Sequence, residues 1–228
     1  MWHSSLVGTL RSAGIDLRLL AVASDNEEYA MAREHGWLAI KYENLPLGRK
    51  FNRVMEAVPK VFGDDVDAII VIGSDDYLTA SYIMDATHVI RQGGEYAAAK
   101  TAYMIDSESG RSVKFRGNVT IGGGRIVTAD LMRTCKWRPW EDGLNSGLDA
   151  SFDRTLRIIE SARKDKIRFQ VVENDGLMTL KSGTNIWSYD FLLGRVLTEE
   201  APGDMLYAMY PAVFDMAFHS GIVDKATV

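Results

Sequence analysis

Cysteine is nearly absent from this chain. Cys135 stands alone among 228 residues, so no intramolecular disulfide can form and a cysteine-based metal cluster is excluded. That usage suits a reducing compartment, and a cytoplasmic location is expected. Histidine is scarce too, and His3, His35, His88 and His219 show no spacing that would build a zinc site. No apolar run approaches the length of a membrane span, and the opening MWHSSLVGTLRSAG lacks a basic region followed by a long apolar core. A soluble, unexported protein with no membrane partner is therefore expected. Positive charge is in deficit. A formal net charge of −5 offers no general attraction to nucleic acid or anionic lipid. A polyanionic partner would have to be met by a local patch, for which Arg111, Lys114, Arg116 and Arg125 are the candidates. There is no internal repeat and no low-complexity tract.

What is present is enough apolar material, 46% of residues, for one good core without a second independent domain. The stretch VDAIIVIGSDD at 66–76 organises the chain. Ala68 to Ile72 form a near-continuous apolar run, as a strand does when both faces of its sheet are covered. The run ends in Gly73, Ser74, Asp75 and Asp76, where a parallel sheet presents its ligand crevice. Two adjacent carboxylates there suit a hard divalent cation, Mg²⁺ or Mn²⁺, shared with a substrate diphosphate. The same four residues also make a good turn and helix cap, and taken alone the two readings weigh equally.

Taken in order, residues 4–13 read as a helix stopped by Gly14, and IDLRLLAVAS reads as a strand. Asp25 with Glu27 and Glu28 gives a capping-box start for a helix to His35, and WLAIKY is a short strand. Leu47, Phe51, Val54, Met55, Val58, Val61 and Phe62 recur at helical spacing over 47–62. This α–β–α–β–α–β order predicts an α/β fold, a three-layer sandwich around a mostly parallel, Rossmann-like sheet. Beyond a helix at 79–92, EYAAAKTAYMID and RSVKFRG flank DSESG as a hairpin, adding a small antiparallel element. Helices are expected over 128–137 and 148–163, and short strands at IRFQVV and LMTLK. The Met- and aromatic-rich end, 204–218, reads as a helix serving the core or a subunit contact, hence a route to a homo-oligomer.

PLGRKFN at 46–52, SDD at 74–76, GGGR at 122–125, NSGLDASFDRTL at 145–156 and LKSGTNI at 180–186 together resemble a small phage or bacterial version of the GT-A fold of nucleotide-sugar glycosyltransferases, near family 2. Each motif is short; their order is what is specific. The resemblance implies a catalytic domain over 1–190, with a nucleotide-binding part to about 95 and an acceptor part from about 96, then a helical extension over 191–228. It also implies hexosyl transfer from a nucleotide-diphosphate sugar, such as a UDP-sugar, to an acceptor hydroxyl. Phage relatives place sugars on hydroxymethylated DNA bases, so modified DNA stands beside a glycan as acceptor, and host cytoplasm as location. One departure is that no strand precedes the helix at 4–13, where members of the fold carry a strand that touches the nucleotide base.

By the same resemblance, Ser74-Asp75-Asp76 takes the place of the Asp-any-Asp motif. Asp76 would hold the metal, and Asp75 would share it or contact the ribose. Lys50 and Asn52 lie at a helix start, where backbone N–H groups favour an anion, and look like donor contacts. Arg49, Lys50 and Arg53 read equally as the solvated face of that helix. Asp25 resembles a carboxylate that accepts from uracil or ribose, and is as good a plain N-cap. Gly122, Gly123 and Gly124 remove side chains where a donor sugar would approach, or form a flexible turn. Asp149 is the favoured catalytic base, with Asp142 and then Glu141 behind it. Trp137 and Trp140 are a stacking platform or core. Lys181 is expected to face the diphosphate where relatives place a late histidine. A nucleotidyltransferase and a non-catalytic nucleotide- or glycan-binding module are the alternatives. The first wants a Gly-rich basic signature after an initial strand, which is not found.

Overall fold

A computed structural model describes residues 2–117, 120–181, 190, 193, 197–201, 203–211 and 213. The first ninety residues follow the expected alternation. Helix α1 (Trp2–Ser12) leads to strand β1 (Leu20–Ala23), α2 (Asn26–Glu34), β2 (Leu38–Lys41), α3 (Leu47–Phe62) and β3 (Ala68–Val71). Then come β4 (Asp76–Leu78), α4 (Ala80–Arg91), β5 (Tyr96–Ala99), β6 (Thr101–Asp106), β7 (Ser112–Arg116), β8 (Arg125–Thr128), α5 (Ala129–Thr134) and α6 (Leu148–Ala162). The remaining described elements are β9 (Phe169–Val172), β10 (Leu177–Lys181), β11 (Leu197–Glu200) and α7 (Gly203–Met209).

The sheets are mixed rather than mostly parallel, which corrects the expected sheet. β1 and β2 form a parallel pair, a second sheet runs β3-β8-β5-β9, and a third runs β11-β7-β6-β10-β4. Only β1/β2, β5/β9 and β6/β10 are parallel among the described pairs. The reason lies in the connections. β1 and β2 are each followed by a helix, and a helical crossover is what returns a chain parallel to itself. From β5 onward the chain turns back through a hairpin (β6–β7), and through Gly122–Gly124 directly into β8. β8 then inserts antiparallel between β3 and β5. The polar GGGR start hid this strand from a reading based on apolar runs.

Three apolar clusters hold these layers. Val54, Met55 and Val58 of α3 pack with Val71, Val127, Phe152 and the two tryptophans. Leu6 and Leu10 of α1 pack with Tyr82 and Ile83 of α4 over the β5 and β6 alanines. Full burial of each such side chain stabilises by about 1.5–3 kcal/mol. Trp137 and Trp140 are therefore core, Trp140 lying 5.3 Å from Phe51 and 5.7 Å from Phe152 between ring centroids. In its described part the C-terminal region packs on the rest of the chain. β11 pairs with β7, and Leu206, Tyr210 and Val213 are buried against Tyr103, Ile105 and Met178. That use of α7 leaves its buried apolar side chains unavailable for the subunit contact expected there; the rest of 204–218 lies outside the described residues. No helix of the described residues is long and apolar enough to cross a membrane.

Helix α1 is also tied to β4. Trp2 Nε1 donates to the Leu78 carbonyl at 2.6 Å, and the buried His3 stacks on Tyr77 with its Nε2 facing the Leu78 N–H. Burial pushes the His3 imidazole down to about 4 from its ordinary 6.5. Between these values the unfolded chain binds the proton and the folded chain does not, so this contribution is complete above pH 6.5 and is lost as pH falls toward 4. Replacing His3 with Gln is expected to reduce the loss of stability on acidification across that window by up to about 3 kcal/mol. Denaturant midpoints of both proteins between pH 4 and 7 measure it.

Candidate active site

The apolar run of β3 ends at Val71, and the chain then turns through Gly73–Asp75 into β4, whose first residue is Asp76. Asp76 Oδ2 accepts from the Gly73 N–H at 2.8 Å, which folds the carboxylate back over the turn. A Cβ on Gly73 would lie 2.7 Å from Asp75 Oδ1 and 3.1 Å from Asp76 Oδ2, so both carboxylates converge over that glycine. Asp75 is held from the other side. Its carbonyl accepts from the Leu180 N–H at 2.8 Å, and its Oδ2 meets Lys181 Nζ at 2.8 Å and Thr179 Oγ1 at 3.4 Å. β10 thus carries the cation and the hydroxyl to the acidic turn.

The glycine triplet closes the site from β8. A Cβ at Gly123 would stand 2.5 Å from Asp76 Oδ2, and one at Gly122 would collide with Asp149 Oδ1. Consecutive residues without side chains therefore let Asp76 and Asp149, 73 positions apart in sequence, approach the same short piece of backbone. Gly124 has φ +73°, the left-handed region that favours glycine, and its N–H donates to the Val71 carbonyl at 2.9 Å. That turn starts β8 beside β3.

Asp149 sits in the first turn of α6, where the unpaired N–H groups favour an anion. Arg125, buried in β8, reaches its Oδ1 at 3.4 Å. The surrounding protein pushes the Asp149 carboxyl upward by desolvation, while Arg125 pulls it down. With 57% of the side chain open to water, that upward push is damped. Asp76 differs: burial first, and the Asp75 charge second, push it up to about 6. At neutral pH it is an ionised carboxylate in a place that resists ionisation.

Other expected site residues lie elsewhere. Asn52 is buried, and its amide is committed: Nδ2 donates to the Trp140 carbonyl at 2.7 Å and to Asp142 Oδ1 at 2.8 Å, and Oδ1 accepts from the Trp140 N–H at 3.2 Å. It clasps the 140–142 loop and has no amide atom left for a donor. Asp142 is taken up by Asn52 and by Arg138 at 2.6 Å, which hold its carboxyl below the usual range, the opposite of what a base needs. Glu141 is paired with Arg154 at 2.5 Å. The α3 N-terminus is also filled: Gly48 N–H donates to the Leu144 carbonyl at 2.8 Å and Leu47 N–H to Asn145 Oδ1 at 3.2 Å. Those two N–H groups are not open to an anion. Lys50 Nζ instead bridges Ser24 Oγ at 2.7 Å and Asn44 Oδ1 at 2.9 Å, at the end of β1. Asp25 caps α2 by accepting from the Glu28 N–H at 2.8 Å, with Glu28 reaching back to the Ser24 N–H. Ser74 lies in the acidic turn.

The candidate basic patch is largely neutralised. Arg125 is buried, Lys114 pairs with Asp175 at 2.6 Å, and Arg111 with Asp190 at 3.1 Å. Two surface depressions, of about 230 Å³ between β2 and α3 and about 180 Å³ beside α6, lie away from the acidic turn. Among the described residues no three His, Cys, Asp or Glu side chains are grouped to hold a metal. A cation would rest on Asp75 and Asp76 alone and take its remaining ligands from a substrate, a fit that the raised Asp76 carboxyl and its convergence with Asp75 favour. Of LKSGTNI, all beyond Lys181 lies outside the described residues. Sequence reasoning missed Arg125 as a site residue. Its signal was present: an arginine opening the apolar run RIVT must be buried or paired.

The chain matches no protein-family model, and no curated protein is significantly similar to it.

Asp76 titrates near 3.8 when unfolded and about 6 when folded. Between these values the folded chain holds more protons, so stability falls as pH rises through the window and the cost is complete above pH 6. Replacing Asp76 with Asn is therefore expected to raise stability at pH 7.5 by about 1–2 kcal/mol, after discounting for partial solvation, and to leave it unchanged below pH 3.8. Thermal melts at pH 3.5 and 7.5 check both.

Proposed function

We propose that the chain is a glycosyltransferase of the GT-A type, with its strands as the middle of a three-layer α/β/α sandwich, acting on a nucleotide-diphosphate sugar. The observation that carries this reading is the convergence of Asp76 and Asp149 on the side-chain-free Gly122–Gly123 backbone. Transfer of a sugar needs an electropositive seat for the departing diphosphate and a carboxylate for the incoming proton, with room between them for the ring. Asp75 and Asp76 would hold Mg²⁺ or Mn²⁺, which neutralises charge on the leaving diphosphate. Lys181 adds a fixed cation beside Asp75. Gly122 and Gly123 let the Asp149 and Asp76 carboxylates approach one piece of backbone closely. The acceptor oxygen forms its bond to the anomeric carbon as the bond to the phosphate oxygen breaks, and Asp149 takes the hydroxyl proton. A solvent-facing Asp149, with Arg125 beside it, suits an acceptor arriving from water. Pairing of Lys114 with Asp175 and of Arg111 with Asp190, with Arg125 buried, favours a neutral acceptor such as a glycan over modified DNA. Lys50, Ser24 and Asn44 at the end of β1 form the polar group nearest in kind to a nucleoside subsite, with Asp25 beside them.

Calorimetric titration with a panel of nucleotide sugars, with and without Mn²⁺, followed by a hydrolysis and transfer assay on the best binder, tests the reading. Mn²⁺-dependent binding with turnover is expected for the native chain, and loss of the Mn²⁺ effect for Asp76→Asn. Lys181→Ala should keep its fold and lose at least about tenfold in donor turnover, roughly the 1.4 kcal/mol of one charge-assisted contact. Binding without hydrolysis or transfer would instead make it a binding module.

A further inference from the structure

Arg125 is one of the most buried side chains in the protein, at 1% exposure, and its partners are poor for so costly a charge. Asp149 accepts one long hydrogen bond from it, at 3.4 Å, and the buried Nε has no hydrogen-bond partner among the described residues. The guanidinium is otherwise held by rings: its carbon lies 4.3 Å from the centroid of Phe152 and 5.6 Å from that of Tyr96. Taking a guanidinium out of water for a single ion pair stabilises little, and an apolar side chain of similar volume serves a core equally well or better. Packing alone therefore gives no reason for an arginine here.

The placement gives one. Phe152 and Asp149 are three residues apart on α6, hence neighbours on one helical face. The ring that cradles the guanidinium thus presents the carboxylate to it. Arg125 in turn follows directly on Gly122–Gly124, and its strand pairs with β3, which feeds the acidic turn. One rigid strand therefore fixes, in consecutive residues, the glycine surface that meets Asp76 and the charge that meets Asp149. We infer that Arg125 is the positioning residue of the site, a caged cation that aims the Asp149 carboxylate across Gly122. It touches neither donor nor acceptor and acts through Asp149.

The role of Asp149 as base rests on the glycosyltransferase reading, but the coupling of Arg125 to Asp149 does not, and the two are measured separately. Arg125→Met keeps the apolar volume, and Arg125→Lys keeps the charge. NMR titration of the Asp149 carboxyl, assigned with Asp149→Asn, is expected to give a higher midpoint in Arg125→Met than in the native chain and an intermediate one in Arg125→Lys. Equal midpoints in all three folded proteins would overturn the inference, whatever the activity. Should Arg125→Met fail to fold, the native-to-Lys difference carries the same decision. Where transfer is observed, the acid limb of the pH–rate profile should move upward with the carboxyl midpoint, kcat falling about tenfold or more while donor KM stays put. A donor KM that rises with kcat unchanged would place Arg125 on the donor instead and also overturn it. A native chain that transfers no sugar removes the glycosyltransferase reading and leaves the titration as the sole judge of the coupling.

Discussion

Two carboxylates can share one stretch of backbone only where that backbone carries no side chains. This steric constraint, at Gly122 and Gly123, underlies the candidate site: a Cβ at either position would meet the carboxylate of Asp149 or Asp76 at less than contact distance. Around that bare backbone the fold supplies the rest. β3 delivers the acidic turn, β10 brings Lys181 and Thr179 to Asp75, β8 carries Arg125, and α6 opens with Asp149. Four elements distant in sequence contribute one short segment each.

The electrostatics of the site are uneven in a way its proposed chemistry needs. Asp75 is matched by Lys181, while Asp76 is left in a buried position beside a like charge. Ionised Asp76 is a strained state that a bound cation, if the proposed chemistry holds, would relieve. Asp149 faces water, with a buried cation behind it and a helix N-terminus beneath. The two acids are thus set for different tasks by their surroundings, although their side chains are identical.

The other polar residues of the N-terminal half serve the scaffold. Asn52 stitches α3 to the 140–142 loop, Leu144 and Asn145 occupy the α3 N-terminus, and Asp25 caps α2. A polar residue at a helix start satisfies orphan backbone groups as readily as it binds ligands. In this chain the backbone claimed most of them. The same economy explains Trp140, whose ring packs against Phe51 of α3 and Phe152 of α6.

Local patterning was enough to place the helices of the first ninety residues and the strands β1 to β3, because amphipathic spacing and Gly, Asp and Ser punctuation act within a few residues. α3 matches its apolar spacing to the residue, and the acidic turn was evident from a buried run that ends in carboxylates. Sheet order and strand direction were not legible, since β8 and β4 are short and begin in polar residues, and pairing depends on partners dozens of positions away. Nor could spacing reveal whether Asn52 faced a ligand or a loop, or that Arg125 lay beneath Asp149. Such choices depend on which buried groups still lack a partner once the chain has closed, and only the packed structure decides that.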